Sequence, residues 1–131
     1  MVIDTSAVVA ILNSEPEAET FESAVAADPV RLMAATCLFE ARVVLVGRRG
    51  ADALAEIDQQ FAKTRAQIVS VDSNLVDLAT QAWLTYGKGR RKAALNFADC
   101  FSYALARRSG EPLLFKGGDF ARTDVRAAIP A

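Results

Sequence analysis

Histidine is absent from the 131 residues. That absence removes Ser-His-Asp triads, histidine acid/base pairs and zinc hydrolases built on imidazole, because each needs a ring nitrogen to carry a proton or hold a metal. Cysteine is scarce. Cys37 and Cys100 form no C-x-x-C pair and are too few for a disulfide scaffold or a zinc site, so both are expected reduced and packed. Long apolar runs are missing too: Ala7 to Leu12 falls far short of the roughly 20 residues that cross a bilayer. No basic segment precedes that run, since Asp4 stands where one belongs, so a secretory leader is not read and the cytoplasm is the expected location. There is no basic excess either. A net charge of −1 argues against a protein that coats nucleic acid non-specifically, and any polyanion must be met locally.

What is present suits one compact domain over residues 1–131: 52% of residues are hydrophobic, 24% are charged, and no low-complexity run interrupts the pattern. Met1-Val2-Ile3 reads as a strand feeding a helix from near Ala7, with oxygens of Asp4-Thr5-Ser6 available to cap it. A second helix is expected from Glu15-Pro16 to Ala27, then a strand over Arg31 to Ala35. Thr36 is the expected cap of a long helix through Arg49, and apolar residues at three- and four-residue steps predict another from Ala51 to Ala66. Gln67 to Val71 follows as a strand, then a helix from Asp72 or Ser73 to Tyr86 whose apolar stripe includes Trp83 as core. The last elements are a helix from Asn96 to Arg108, a strand over Pro112 to Phe115 and an edge strand at Ala127 to Ile129. Alternating strands and helices imply an α/β fold, a three-layer α/β/α domain with a mostly parallel sheet of about four to five strands. In such sheets ligands collect beyond the carboxyl ends of the strands.

Four carboxylates stand at strand ends or in opening helical turns: Asp4, Glu40, Asp99 and Asp119. Each has a local explanation. Asp4 favours the start of the helix that follows it, Asp99 fits a capping arrangement with Asn96, and Asp119 follows a Gly117-Gly118 turn. Glu40 is one residue late for a capping box with Thr36, inside a mostly apolar stretch where an unpaired charge is costly. With no imidazole available, such carboxylates are the hard ligands that suit Mg²⁺ or Mn²⁺.

The pieces Val2-Ile3-Asp4-Thr5-Ser6-Ala7, Glu40, Leu95-Asn96-Phe97-Ala98-Asp99-Cys100 with Tyr103-Ala104, and Lys116-Gly117-Gly118-Asp119-Phe120 occur together. In these the chain resembles the PIN-domain ribonucleases, in particular VapC-type toxins of type II toxin-antitoxin modules. The resemblance implies an endoribonuclease whose acidic pocket is Asp4, Glu40, Asp99 and Asp119, with Thr5 or Ser6 orienting the ligands and Mg²⁺ or Mn²⁺ as cofactor. It implies cleavage of single-stranded RNA to a 3′-hydroxyl and a 5′-phosphate, homodimer formation, and neutralisation by a small VapB-type antitoxin over the active cleft. One departure stands out: similar sequences often read Gly-Asp-Asp-Phe where this chain has Gly117-Gly118-Asp119-Phe120, which leaves Asp124 as the alternative fourth acid.

Lys88, Arg90, Arg91 and Lys92 crowd together before the Asp99 helix, where they can receive RNA phosphates or form a solvated loop. Gly87-Lys88-Gly89 lacks the spacing of a P-loop. Two other readings remain. A phosphatase with an aspartyl nucleophile would also place an acid after the first strand, but Ser6 stands where its second aspartate belongs. A non-catalytic module binding a partner helix would use the acids only as caps.

Overall fold

A computed structural model describes residues 1–89 and 94–130. Val2 and Ile3, both without solvent exposure, form β1 (Val2–Ile3) at the heart of the sheet. β1 pairs in parallel with β2 (Leu32–Ala34) on one side, through Val2 and Leu32, and with β4 (Leu113–Leu114) on the other, through Ile3 and Leu114. β3 (Gln67–Val69) pairs with β2, so the order is β3-β2-β1-β4 and every pairing is parallel. The chain thus winds outward from β1 to β3, then crosses to β1's other side. That reversal opens a crevice at the carboxyl ends of β1 and β4, where a ligand is accommodated in this class of sheet.

Helices supply the crossovers that parallel neighbours need. They are α1 (Thr5–Leu12), α2 (Ala18–Ala27), α3 (Ala35–Arg49), α4 (Leu54–Ala62), α5 (Ser73–Tyr86) and α6 (Phe97–Ser109). The α/β class and parallel four-stranded sheet match the sequence expectation; several boundaries do not. α1 starts at Thr5, two residues early, because Asp4 itself is the cap. α2 starts at Ala18 rather than near Glu15-Pro16. α3 begins before Thr36 can cap it: Ala34 occupies the cap position, and the Thr36 hydroxyl is buried without a hydrogen-bond partner. The expected 51–66 helix is a 3₁₀ turn over Ala51–Ala53 followed by α4, which ends at Ala62; the chain then tightens into turns from Lys63 to Arg65, where Arg65 takes a left-handed conformation with φ 55°. The tail contributes a single parallel bridge, Ala127 to Leu113, at β4's outer edge.

α6 is the central helix, buried continuously from Ala98 to Ala106, and it packs on β1, β2, β4, α3 and α5. Small residues at Ala98, Cys100, Ser102, Ala104 and Ala106 let its neighbours approach closely. Polar groups on so buried a helix must find partners. Cys37 and Cys100 are free and buried, as expected. Trp83 is not core: it is 43% exposed, beside exposed Leu84. Its ring lies along the backbone at Gly87, where a Cβ would come within 2.9 Å of the indole and 2.5 Å of the Trp83 carbonyl oxygen, so that position admits only glycine. Among the described residues no helix is long and apolar enough to cross a membrane.

Candidate active site

Asp4 leaves β1 directly into the crevice and is 2% exposed. Its backbone N–H donates to the Leu114 carbonyl at 2.9 Å, tying it to the end of β4. The side chain caps α1: Oδ2 accepts from the Ser6 N–H at 2.9 Å and from the Ser6 hydroxyl at 2.6 Å. Ser6 Oγ in turn accepts the Lys116 N–H at 2.9 Å, so one hydroxyl joins the β1–α1 turn to the loop that carries Asp119. That loop is also held by Lys116, whose ammonium bonds Glu15 and lies 3.2 Å from Glu17. Asp4 Oδ1 accepts from Ser102 Oγ at 2.5 Å, a contact 98 residues distant in sequence.

Asp99 sits at the third position of α6, where a capping box forms as its spacing predicts: Asn96 Oδ1 accepts the Asp99 N–H at 2.9 Å and Asp99 Oδ2 accepts the Asn96 N–H at 3.0 Å. Burial first, then the charges of Asp4, Asp119 and Glu40, push its carboxyl up to about 7, although the Asn96 N–H favours the charged form. Glu40, half-buried on α3, is raised by burial and by Asp4, against the nearby Thr5 hydroxyl. The other three expected acids therefore all act on Asp99, and Asp4 also acts on Glu40. Asp124 does not join them: it accepts from the Tyr103 hydroxyl at 2.5 Å and from Arg107 at 3.2 Å. Thr5 lies beside Glu40, and its hydroxyl donates to the Cys37 carbonyl at 3.1 Å.

An all-carboxylate donor set fits a hard divalent cation, which would offset the burial and the neighbouring charges that raise Asp99 and Glu40. As placed, and among the described residues, no three Asp, Glu or Cys side chains converge closely enough to hold one ion. Asp4 and Asp99 are anchored by hydrogen bonds, whereas Asp119 is exposed on a turn.

The family model for the PIN domain matches residues 1–126. Ribonuclease VapC30 of Mycobacterium tuberculosis is 50% identical over 131 residues, 99% of this chain and 100% of its own length. Ribonuclease VapC of Mycolicibacterium smegmatis is 51% identical over 127 residues, 97% of this chain and 98% of its own. The chain belongs to the PIN-domain family, among the VapC ribonucleases. The crystal structure of Mycobacterium tuberculosis VapC20, a Sarcin-Ricin loop cleaving toxin, matches this PIN domain with a TM-score of 0.76 at 23% identity, covering 98% of each chain. A toxin-antitoxin complex from Klebsiella pneumoniae matches at TM-score 0.71 and 15% identity, over 99% of this chain and 98% of that one. At those identities the likeness is one of fold.

The basic segment is described only in part. Lys88 is exposed, and its N–H donates to the Leu95 carbonyl at 2.8 Å, closing the loop directly before the Asn96 cap; Arg90, Arg91 and Lys92 lie outside the described residues. Two features of this PIN domain escaped the sequence reading. Ser102 contacts Asp4, and its one available signal is position: three residues after Asp99, it shares that acid's face of α6. Phe97, one position past the cap, is 76% exposed and stacks obliquely on Phe101.

Proposed function

We propose that this PIN domain is the toxin of a type II toxin-antitoxin module, a Mg²⁺- or Mn²⁺-dependent endoribonuclease that hydrolyses phosphodiester bonds in single-stranded regions of RNA in the cytoplasm. The observation that carries this reading is the burial of Asp99 and Glu40 beside Asp4 at the sheet's switch point, with the charge of Asp119 also acting on Asp99. Capping alone explains the positions of Asp4 and Asp99, but a cap works at the protein surface; burying Asp99 beside the charges of Asp4, Asp119 and Glu40 opposes its ionisation. A bound divalent cation supplies Lewis-acid polarisation of the phosphodiester and a more acidic water.

In this reading Asp4, Glu40, Asp99 and Asp119 are the ion's ligands and Ser6 orients Asp4. Without a cation, Asp99 retains its proton into the neutral range, and binding an ion displaces it. The exposed ring of Phe97, two residues from Asp99, offers a face to an unstacked base, which a paired strand cannot present. Lys88 and, from sequence, Arg90, Arg91 and Lys92 supply phosphate contacts. Exposed Phe39 and Val43, one turn apart on α3, provide apolar surface for a homodimer and a VapB-type antitoxin, and the likeness in fold to a toxin-antitoxin complex supports the pairing. Residues 1–131 act as one domain. The phosphatase reading has no support in the hydrogen bonding, since the residue two after Asp4 is a serine whose hydroxyl donates to Asp4.

The test is cleavage of a panel of structured RNAs with EDTA, Mg²⁺ or Mn²⁺, with Asp99→Asn as the inactive control. Cuts confined to single-stranded segments, dependent on the ion and lost in the variant, are expected. Cleavage that persists in EDTA, or in Asp99→Asn, would overturn the proposal.

A further inference from the structure

Both oxygens of the Asp4 carboxylate accept hydrogen bonds, but unequally. Each has two lone pairs. Oδ2 uses both, one on the Ser6 N–H and one on the Ser6 hydroxyl. Oδ1 accepts a single bond, from Ser102 Oγ at 2.5 Å, and keeps one lone pair. Ser102 has no solvent exposure, and its hydroxyl also lies 3.2 Å from Cys37 Sγ. A serine hydroxyl has one hydrogen, and it lies on Asp4; the Cys37 thiol beside it has its own single hydrogen between Ser102 Oγ and the Ala98 carbonyl, 3.5 Å away. Burial first, then the Asp4 charge, hold the Cys37 thiol up to about 12, so it keeps its hydrogen throughout the neutral range. The result is a hydrogen bond from α6 to the end of β1, Ser102 to Asp4, with the Cys37 thiol of α3 packed beside it. The same face of α6 thus carries one acid, Asp99, and steers a second.

We propose that Ser102 is a positioning residue of the acidic site: its hydroxyl orients Oδ1, the one oxygen of Asp4 that Ser6 leaves free to bind a cation. This inference rests on the metal-dependent reading of the acidic site. Ser6 grips the carboxylate from α1 and Ser102 from α6, so it cannot rotate without breaking bonds on both sides. Asp4 thereby presents a fixed oxygen, while exposed Asp119 is free to adjust to the ion. Removing the Ser102 hydroxyl leaves Asp4 with its Ser6 bonds and its α1 cap but without a set direction for Oδ1. Mutating groups that orient a metal's ligands costs about 10- to 100-fold in affinity or activity.

The test uses the full chain and Mn²⁺ alone as the probe, with affinity read from the electron paramagnetic resonance of free Mn²⁺. Ser102→Ala is expected to weaken Mn²⁺ binding about ten-fold or more and to lower kcat on an RNA oligonucleotide with KM unchanged. Cys37→Ala, which removes the thiol beside the Ser102 hydroxyl and leaves the Ser102–Asp4 bond, is expected to weaken it by a smaller factor. Should Ser102→Ala fail to fold, Ser102→Cys, close in volume and a poorer donor, takes its place with the same expectation. Wild-type Mn²⁺ affinity in the folded variant overturns the inference, as does a rise in KM with kcat intact. The two readings fail separately: if the unmutated chain binds Mn²⁺, Asp99→Asn abolishes it and Ser102→Ala leaves it unchanged, only the role of Ser102 is lost. If the unmutated chain binds no Mn²⁺, the proposed function is lost.

Discussion

Replacing Asp99 by Asn removes the buried charge at the centre of the candidate site, which is opposed first by burial and then by the charges of Asp4, Asp119 and Glu40. In the metal-free protein the Asp99 carboxyl is displaced from 3.8 to about 7. At about 1.4 kcal/mol per unit this is on the order of 4 kcal/mol, which solvent screening reduces towards about 2. The sign follows from proton binding. The folded state holds the Asp99 proton more tightly than the unfolded chain, so metal-free stability falls as pH rises from about 4 to about 7, and above that this group contributes a constant loss. The substituted amide would carry no charge to repel. Its oxygen can still accept the Asn96 N–H and preserve the capping box, while a favourable charge near the helix start, worth about 0.5 kcal/mol, disappears. The net gain is about 1.5 kcal/mol near pH 8, or about 5 °C in melting temperature for a domain of this size, shrinking as pH approaches 4. Circular dichroism melts in EDTA at several pH values measure it, and adding Mn²⁺ should stabilise the unmutated protein but not the variant. A variant that melts no higher than its parent near pH 8 would refute the premise that burial beside the other acids opposes the ionisation of Asp99. Asp4 is the poorer position for this experiment, because an amide nitrogen there would face the hydroxyl or N–H donors that now satisfy both oxygens.

Saturating the unmutated chain with Mn²⁺ at about 100 times its dissociation constant should add about 2.7 kcal/mol of stability, reversed by EDTA and visible as a rise in melting temperature. Asp119→Asn should lower cleavage by more than about ten-fold, whereas Asp124→Asn should leave cleavage intact and cost about 1 kcal/mol by weakening the bonds from Tyr103 and Arg107; the opposite ranking in a cleavage assay would make Asp124 the fourth acid. Reversing Arg90 and Arg91 to Glu should weaken single-stranded RNA binding and flatten its dependence on salt, by about 0.7 in the log-log slope for each phosphate no longer neutralised, with Mn²⁺ affinity unchanged. Equal slopes in fluorescence anisotropy titrations would remove the loop from the RNA path.

Much of the fold was readable because its cues are local. The capping box of α6 follows from Asn96 and Asp99 standing three apart, and α3 and α5 from apolar residues recurring once per turn. Local cues also misled where packing intervened. Thr36 is a good capping residue, yet β2 runs directly into α3 and leaves it inside the first turn. Trp83 repeats an apolar spacing, yet it lies over Gly87 at the surface because the chain turns there.

By itself the sequence determined the chemistry on offer: no imidazole, a few acids at strand and helix ends, and periodicities that alternate strand with helix. Periodicity and capping are properties of short stretches of backbone, so they survive in one dimension. Which acids meet was decided only in three dimensions, when β4 crossed to the far side of β1 and brought Asp119 near Asp99 while Tyr103 and Arg107 drew Asp124 away. The grip of Ser102 on Asp4, across 98 residues, belongs to the same class of fact, because it depends on where a buried helix crosses the end of a strand.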